Sequence, residues 1–112
     1  MTDKILSLLG LCRRAGKLAI GADPATESVI KHKSSLVLYA NDFSHNSVKP
    51  VWEAAHKNNV KALIINRSKN ELSLALGKMC GVVSVEDKGF ADKLVGLIND
   101  EQGGELHDKI QG

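Results

Sequence analysis

The chain has 112 residues and a mass of 12.1 kDa, the size of one globular domain. Its 43% hydrophobic and 25% charged residues exclude a disordered, collagen-like or fibrous coiled-coil protein. No apolar run reaches the roughly 18–20 residues of a membrane helix, and the N-terminus lacks the basic and apolar regions of a signal peptide. Two cysteines outside any paired motif are typical of a reduced compartment. We therefore expect a cytoplasmic protein with no membrane partner.

Charge is distributed unevenly along the chain. Residues 1–69 carry a net charge of +6, from 11 Lys and Arg against 5 Asp and Glu. Residues 70–112 carry −4, from 4 against 8, which leaves the whole chain at +2. Such a chain can present one basic face that attracts polyanions through Coulomb forces and counterion release. The alternative is that acidic C-terminal helices simply lie beside basic loops.

The apolar residues alternate between the helical and the strand period. In chain order, the first half predicts a helix ending at Gly16, a strand over 17–20, a helix from Asp23 to about Lys33, and a strand over 36–40. The second half predicts a helix through Val51 to Asn58-Asn59, a strand over 60–65, a helix from Ser68 to Gly77, a strand over 82–85 and a helix over 89–99.

Local signals define several of these ends. Thr2 or Asp3 is the expected cap of the first helix. Asp23-Pro24 predicts an N-cap followed by proline at the first helical position. Ser68 with Glu71 three residues later predicts a capping box. Residues 1–102 are expected to form the single domain, and residues 103–112 a flexible tail.

Apolar strands alternating with helices of about ten residues predict a sheet that is covered on both faces. The fold class is therefore α/β. We expect a three-layer α/β/α sandwich, with a four-stranded mixed sheet and helices on both faces.

Asp42 is the strongest enzymatic candidate because it follows the strand over 36–40, and ligands of open α/β sheets bind at the carboxyl ends of strands. A phosphoacceptor aspartate would also need an acidic pair after the first strand to hold magnesium. The sequence there is Gly21-Ala22-Asp23-Pro24. We therefore predict that Asp42 closes a turn with Asn41.

Histidines and cysteines give no metal or nucleophile pattern. The four histidines, His32, His45, His56 and His107, are far apart in sequence and are expected on the surface. Cys12 lies on the apolar side of the first helix and is expected to be packed. Cys80, next to Gly81 in a loop, is expected to be exposed but has no nearby base. We predict no catalytic residue, no metal and no cofactor.

Basic residues cluster near predicted helix ends. Arg13, Arg14 and Lys17 flank Gly16 at the end of the first helix, Lys31 and Lys33 lie on the second, and Lys78 begins a loop. Helix N-termini attract phosphate through their free N–H groups. Arginine forms bidentate hydrogen bonds with phosphate oxygens. The four aromatic residues are not interleaved with arginines, so a stacking platform for single strands is not expected.

Several segments carry a family resemblance: residues 8–18 (LLGLCRRAGKL), Gly21, residues 35–42 (SLVLYAND), residues 76–78 (LGK) and residues 87–91 (DKGFA). In this order, within residues 5–98, they resemble the bacterial YlxQ branch of the ribosomal L7Ae family of kink-turn RNA-binding proteins. The resemblance implies an α/β/α sandwich that binds structured RNA, ribosomal or other non-coding, without catalysis. It also implies a link to the ribosome or to translation and transcription factors, and we expect a monomer.

The basic clusters and the resemblance together give ten candidate RNA-binding residues: Arg13, Arg14, Lys17, Gly21, Asp23, Thr26, Lys31, Lys78, Cys80 and Gly81. The family motif opens Gly-x-Asn-Glu, with a lysine three residues later. Asp23, Pro24 and Glu27 stand at these last three positions. An ionised aspartate only accepts hydrogen bonds, proline has no N–H, and glutamate repels phosphate.

These departures predict a weaker complex or a different RNA motif, approached through Arg13, Arg14, Lys17 and Lys31. The alternative function is a protein-interaction module that kept the fold and lost kink-turn recognition.

Overall fold

The computed structural model describes the backbone of residues 3–111 and the side chains of residues 3–101. Its elements are α1 (Lys4–Arg14), β1 (Leu18–Ile20), α2 (Ala22–Ile30), β2 (Leu36–Tyr39), α3 (His45–Lys57), β3 (Ala62–Ile64), α4 (Lys69–Leu76), β4 (Val82–Val85) and α5 (Lys88–Gln111). Every predicted helix and strand is present; β1 and β2 are each one residue shorter than predicted, and β3 is three residues shorter. Among the described helices, none is both long and apolar enough to cross a membrane.

The four strands form one mixed sheet in the order β1-β4-β2-β3. Strand β4 is antiparallel to β1 and β2, whereas β3 is parallel to β2. Leu36 and Leu38 of β2 pack with α1, α4 and α5, and Val37 and Tyr39 pack with α2 and α3. Because side chains alternate across a strand, one apolar strand supplies both cores. The predicted three-layer α/β/α sandwich is confirmed.

Helix α2 begins earlier than predicted. Its N-cap is Gly21 and not Asp23, and the Ala25 N–H donates the first helical hydrogen bond to the Gly21 carbonyl at 3.0 Å. Gly21 has a φ of 103°, which residues with a side chain rarely adopt. Pro24 occupies the third helical position, where its missing N–H has no intrahelical partner to lose. The helix ends at Ile30, so Lys31 is the C-cap.

Helix α5 is longer than predicted, because it continues beyond Asn99 to Gln111. Gly103 and Gly104 lie within it. Glycine weakens a helix by about 1 kcal/mol relative to alanine but does not forbid it, which is why the glycine pair is a poor stop signal. The flexibility expected of residues 103–112 concerns a segment outside the described side chains and stays a prediction.

An ion-pair network that the sequence did not predict joins distant parts of the chain. Arg67, before α4, contacts carboxylate oxygens of Asp3 and Glu101 at 2.6 Å each, and its side chain is only 12% exposed. Asp3 also caps α1 by accepting the Leu6 N–H at 3.0 Å. The hydrogen bond from Arg67 lowers the pKa of Asp3. The network therefore ties the start of α1 to α5.

We expect Asp3→Asn to lower the free energy of unfolding at neutral pH by about 1 kcal/mol, since the amide keeps the cap but loses the ion pair. Folding lowers the pKa of Asp3 below its ordinary value of 3.8. The stabilisation by this carboxylate is therefore present above that value and is lost as the pH falls through the lower folded-state pKa.

Urea unfolding of both proteins at neutral pH and at about pH 3 measures this contribution, and the difference between them should shrink at the lower pH. Asp92→Asn, an exposed position on α5, is the control. A difference of equal size at both pH values would show that the ion pair does not cause it.

Candidate nucleic-acid interface

One end of the sheet brings the starts of three helices together. Gly21 precedes α2, Ser44 precedes α3 and Lys69 opens α4, and all three line a cavity of about 230 Å³. Residues 79–82, which lead into β4, line the same cavity. We call the surface formed by residues 21–22, 44, 47–48, 69 and 79–82 the helix-start surface.

Backbone hydrogen bonds hold this surface in place. The Gly21 N–H donates to the Val82 carbonyl, and the Ala40 N–H donates to the Gly81 carbonyl, both at 2.9 Å. These bonds extend the ladder of β4 to its two neighbours, β1 and β2. The loop before β4 is therefore fixed against the start of α2.

Two of the three helices begin without a side-chain cap. In the described structure, neither Gly21 of α2 nor Ser44 of α3 accepts a hydrogen bond through its side chain. In the first turn of α2, the N–H groups of Ala22 and Asp23 have no described partner, and Pro24 has no N–H. The N–H groups in the first turn of α3 also have no described partner. Together with the helix dipole, such groups favour an anion.

Helix α4 is capped, and Asp42 takes part in the capping. Its Oδ1 accepts the Lys69 N–H at 2.7 Å, and the predicted capping box of Ser68 and Glu71 is confirmed. The turn predicted at Asn41 and Asp42 is also confirmed. Among the described side chains, no group of three histidine, cysteine or acidic residues could hold a metal ion. Asp42 therefore stabilises the start of α4.

Several candidate residues lie at this end of the sheet. Lys78 is exposed before the loop, and Asp23 is exposed in the first turn of α2, close to Gly21. Thr26 lies one turn further along α2, and its hydroxyl donates to the Ala22 carbonyl at 2.8 Å. The hydroxyl proton of Thr26 is thus already used within the helix.

The exposure expected of Cys80 is wrong, because this residue is only 6% exposed. Its N–H donates to Ser73 Oγ at 3.1 Å, and burial raises the pKa of its thiol. Cys80 therefore anchors the loop instead of offering a contact. Cys12 is packed as predicted, with its thiol donating to the Lys17 carbonyl at 3.1 Å.

Sequence reasoning missed other residues of this surface. Ser44 and Ser47 begin α3, Lys69 begins α4, and Met79 is 89% exposed beside the cavity. The signal that could have found the two serines is polar: the run over 41–47 (NDFSHNS) follows a buried strand, as ligand-binding loops do in α/β sheets. Met79 lies in the loop over 78–81 that the family resemblance implies as a contact loop. Of the histidines, His32, His45 and His56 are exposed as predicted, and His107 lies outside the described side chains.

The other candidate cations lie at the opposite end of the sheet. Arg13 and Arg14 end α1, and Lys17 precedes β1. Since a strand advances about 3.3 Å per residue, Lys17 lies about 13 Å from Gly21 along β1. Lys31 follows α2 at the same far end. We call the surface of Arg13, Arg14, Lys17, Lys31 and Lys33 the arginine end.

The chain matches a known protein family over most of its length. A profile described as the ribosomal protein L7Ae/L30e/S12e/Gadd45 family matches residues 3–95. The chain belongs to this family. Proteins named RNA-binding protein YlxQ from Enterococcus faecium and Bacillus subtilis (strain 168) are both 34% identical to it, over 96 and 93 residues. These alignments cover 86% and 82% of this chain and 92% of each relative. The YlxQ resemblance is therefore confirmed.

Solved structures share the fold of this L7Ae-family chain. A protein of unknown function from Bacillus halodurans C superposes with a TM-score of 0.79 at 29% identity, covering 88% of this chain and 99% of that one. The Giardia lamblia 15.5kD RNA binding protein gives a TM-score of 0.68 at 22% identity, covering 89% and 92%. The second likeness supports the fold alone.

The positions at which this L7Ae-family member departs from the family motif are all exposed on α2. They are Asp23, Pro24 and Glu27. Glu27 accepts a hydrogen bond from Lys31 Nζ one turn later, which lowers the pKa of Glu27 and raises that of Lys31. The expected repulsion of phosphate by Glu27 is thereby partly offset, and Lys31 is engaged in the same pair.

Proposed function

We propose that this L7Ae-family protein binds structured RNA, without catalysing a reaction, through the helix-start surface. The observation that carries the proposal is that the uncapped starts of α2 and α3 meet beside Lys69 at one cavity. Free N–H groups attract phosphate there, and Lys69 and Lys78 add positive charge. The two YlxQ relatives are named as RNA-binding proteins, which supports the same conclusion.

Met79 favours RNA with an unstacked base. This side chain is almost wholly exposed beside the cavity, and an apolar group of this kind can pack against a base that has left its stack. A regular duplex hides its base faces, whereas a bulge presents a base and its phosphate together. A kink-turn, with its bulge and sharp bend, is therefore the first RNA to test.

Asp23 affects which RNA chemistry fits. Its exposed carboxylate accepts hydrogen bonds and repels phosphate, so it suits the amino groups of bases. The phosphate groups of the RNA then contact the N–H groups at the start of α3 and the side chain of Lys69. The aspartate at position 23, where the family motif has asparagine, therefore changes the contact with the base and leaves the phosphate contacts unchanged.

The family and its name support a wider proposal about partners. We propose that the RNA is ribosomal or another non-coding RNA, and that the protein acts as a cytoplasmic monomer linked to the translation or transcription machinery.

A titration against a kink-turn RNA and an unkinked duplex of equal length, at about 50 and 200 mM salt, tests the proposed function. We expect tighter binding of the kink-turn. With three to five phosphate contacts, affinity should fall by roughly 40- to 500-fold between the two salt concentrations.

Equal, weak binding of the two RNAs would show a basic surface without kink recognition. Absence of binding at both salt concentrations would favour the protein-interaction alternative. Cleavage of either RNA by the purified protein would contradict the non-catalytic function.

A further inference from the structure

A groove runs along the open edge of the sheet beside α3 and shares Val48 with the helix-start surface. Among the described strands, β3 pairs only with β2. Between β3 and α3 lies a cavity of about 720 Å³, lined by Tyr39, Phe43, Trp52 and Ile64 among others. A second cavity of about 130 Å³ shares Trp52 and Ala62 with it. We call the two cavities together the edge groove.

The backbone of β3 has free hydrogen-bonding groups along this groove. The Val37 N–H donates to the Lys61 carbonyl, and the Ile65 N–H donates to the Tyr39 carbonyl, both at 2.9 Å. Residues 61, 63 and 65 therefore bond inward to β2. Because neighbouring residues of a strand direct these groups to opposite sides, the N–H and C=O of Ala62 and Ile64 face the open edge. Such an edge readily pairs with an added strand.

One residue that lines the larger cavity has a buried polar atom without a partner. Tyr39 is almost completely buried, and its Oη has no hydrogen-bond partner among the described residues. The Tyr39 ring packs against Phe43 and Trp52, with ring centroids 5.6 and 6.4 Å apart. A buried hydroxyl is normally satisfied. A bound group with a polar atom would satisfy this one.

The groove also has large apolar surface, and Lys49 supplies a positive charge among the described residues that line it. Trp52 is 56% exposed, and Ile64 is exposed on the edge strand itself. Lys49 and His45 line the larger cavity and His56 the smaller one, and no described Asp or Glu lines either. Carboxylates on a partner would complement this charge.

We propose that the edge groove binds an extended, acidic and apolar segment of a partner protein, which adds a strand to β3. Its main chain pairs with Ala62 and Ile64, and its carboxylates face Lys49. One side chain enters the larger cavity beside Trp52 and brings a polar atom to Tyr39 Oη. The next side chain on the same face, about 7 Å along, enters the smaller cavity. An RNA strand could stack on the aromatic rings but would leave the strand edge unpaired.

The test uses the full chain, isotope-labelled for NMR, and an acetylated and amidated heptapeptide. Every second residue of the peptide faces the groove, and these positions alternate between glutamate and leucine, with threonine at the positions between them. We expect the Ala62 and Ile64 amides and the Trp52 indole to shift on binding, with saturation by about 1 mM peptide. The two amides should also exchange more slowly with solvent, because they become hydrogen-bonded. A heptapeptide with lysine in place of glutamate should bind at least about fivefold more weakly.

Matched variants locate the binding. Trp52→Ala should weaken peptide binding about tenfold, whereas Leu74→Ala, an exposed apolar position on α4, should leave it unchanged. Tyr39→Phe keeps the ring and removes the unpartnered hydroxyl, so it should fold at least as stably and bind about two- to fivefold more weakly.

Failure of the acidic peptide to bind, or binding that leaves the Ala62 and Ile64 amides unchanged, would overturn the proposal. Binding of an oligouridine heptamer at Trp52 in place of the peptide would replace the protein partner with RNA. The kink-turn titration is a separate test, because the helix-start surface shares only Val48 with the edge groove.

Discussion

Replacing Lys69 and Lys78 together by glutamate is expected to lower the affinity for kink-turn RNA about 100-fold, whereas replacing Arg13 and Arg14 together by glutamate lowers it less than about threefold. Both double variants change the net charge of the chain by the same amount. Long-range attraction to RNA is therefore reduced equally, and only the location of the change differs. Lys69 lies in the helix-start surface and Lys78 lies next to it in sequence, so each substitution removes a proposed phosphate contact and adds a repulsion.

The measurement is a titration of both double variants and the wild type against the same RNA at one salt concentration. Glutamate at position 69 suits the start of α4, where the helix dipole favours negative charge. Glutamate at positions 13 and 14 opposes the dipole at the end of α1 and should reduce stability by about 0.3–1 kcal/mol each. Circular dichroism confirms that each variant is folded at the working temperature. A larger loss for the arginine variant would show that RNA approaches through the arginine end, as the sequence alone predicted.

Gly21→Ala is expected to destabilise the protein by about 1–3 kcal/mol, and Gly10→Ala to stabilise it by about 0.5–1 kcal/mol. At Gly21 a new Cβ would meet only the Pro24 Cδ, at an ordinary 3.7 Å, so the cause is the φ of 103° and not crowding. Gly10 lies inside α1, and apart from its chain neighbours and the backbone of its own helix, no described atom lies within 4 Å of its new Cβ. There, alanine restricts the unfolded chain and favours the helix.

Urea unfolding of the two variants and the wild type measures both effects, and opposite signs are the expected result. RNA affinity gives a second readout, because Gly21→Ala displaces the start of α2 within the helix-start surface, while Gly10→Ala leaves that surface untouched. If Gly21→Ala were neutral in both measurements, the left-handed backbone at this position would not matter for the fold or for the site.

Short-range patterns were sufficient for the order of helices and strands. Apolar residues at helical or strand spacing identify elements such as β4 at Val82–Val85, and the capping box of Ser68 and Glu71 places the start of α4. The same reasoning failed at α2, because its start depends on a contact with a distant strand. The Gly21 N–H donates to the Val82 carbonyl. This hydrogen bond joins residues 61 positions apart, so the local signal at Asp23-Pro24 could not predict it.

The candidate site was predictable only in part, because its residues come from separate elements. Sequence order makes Lys17 and Gly21 appear adjacent, yet β1 runs between them and places them at opposite ends of the sheet. Lys69 and Ser44 join Gly21 only because the parallel pair β2 and β3 ends at the same edge.

The sequence by itself determined the family, the three-layer α/β/α architecture and the approximate positions of its elements, since these follow from local periodicity and short motifs. Tertiary structure alone decided which cations share a surface, that Cys80 is buried, and that Arg67 joins Asp3 to Glu101 across 64 and 34 residues of sequence. It also decided that the edge of β3 is open beside an aromatic cavity. The physical reason is that these properties depend on distances between residues far apart in the chain, and such distances exist only once the sheet has formed.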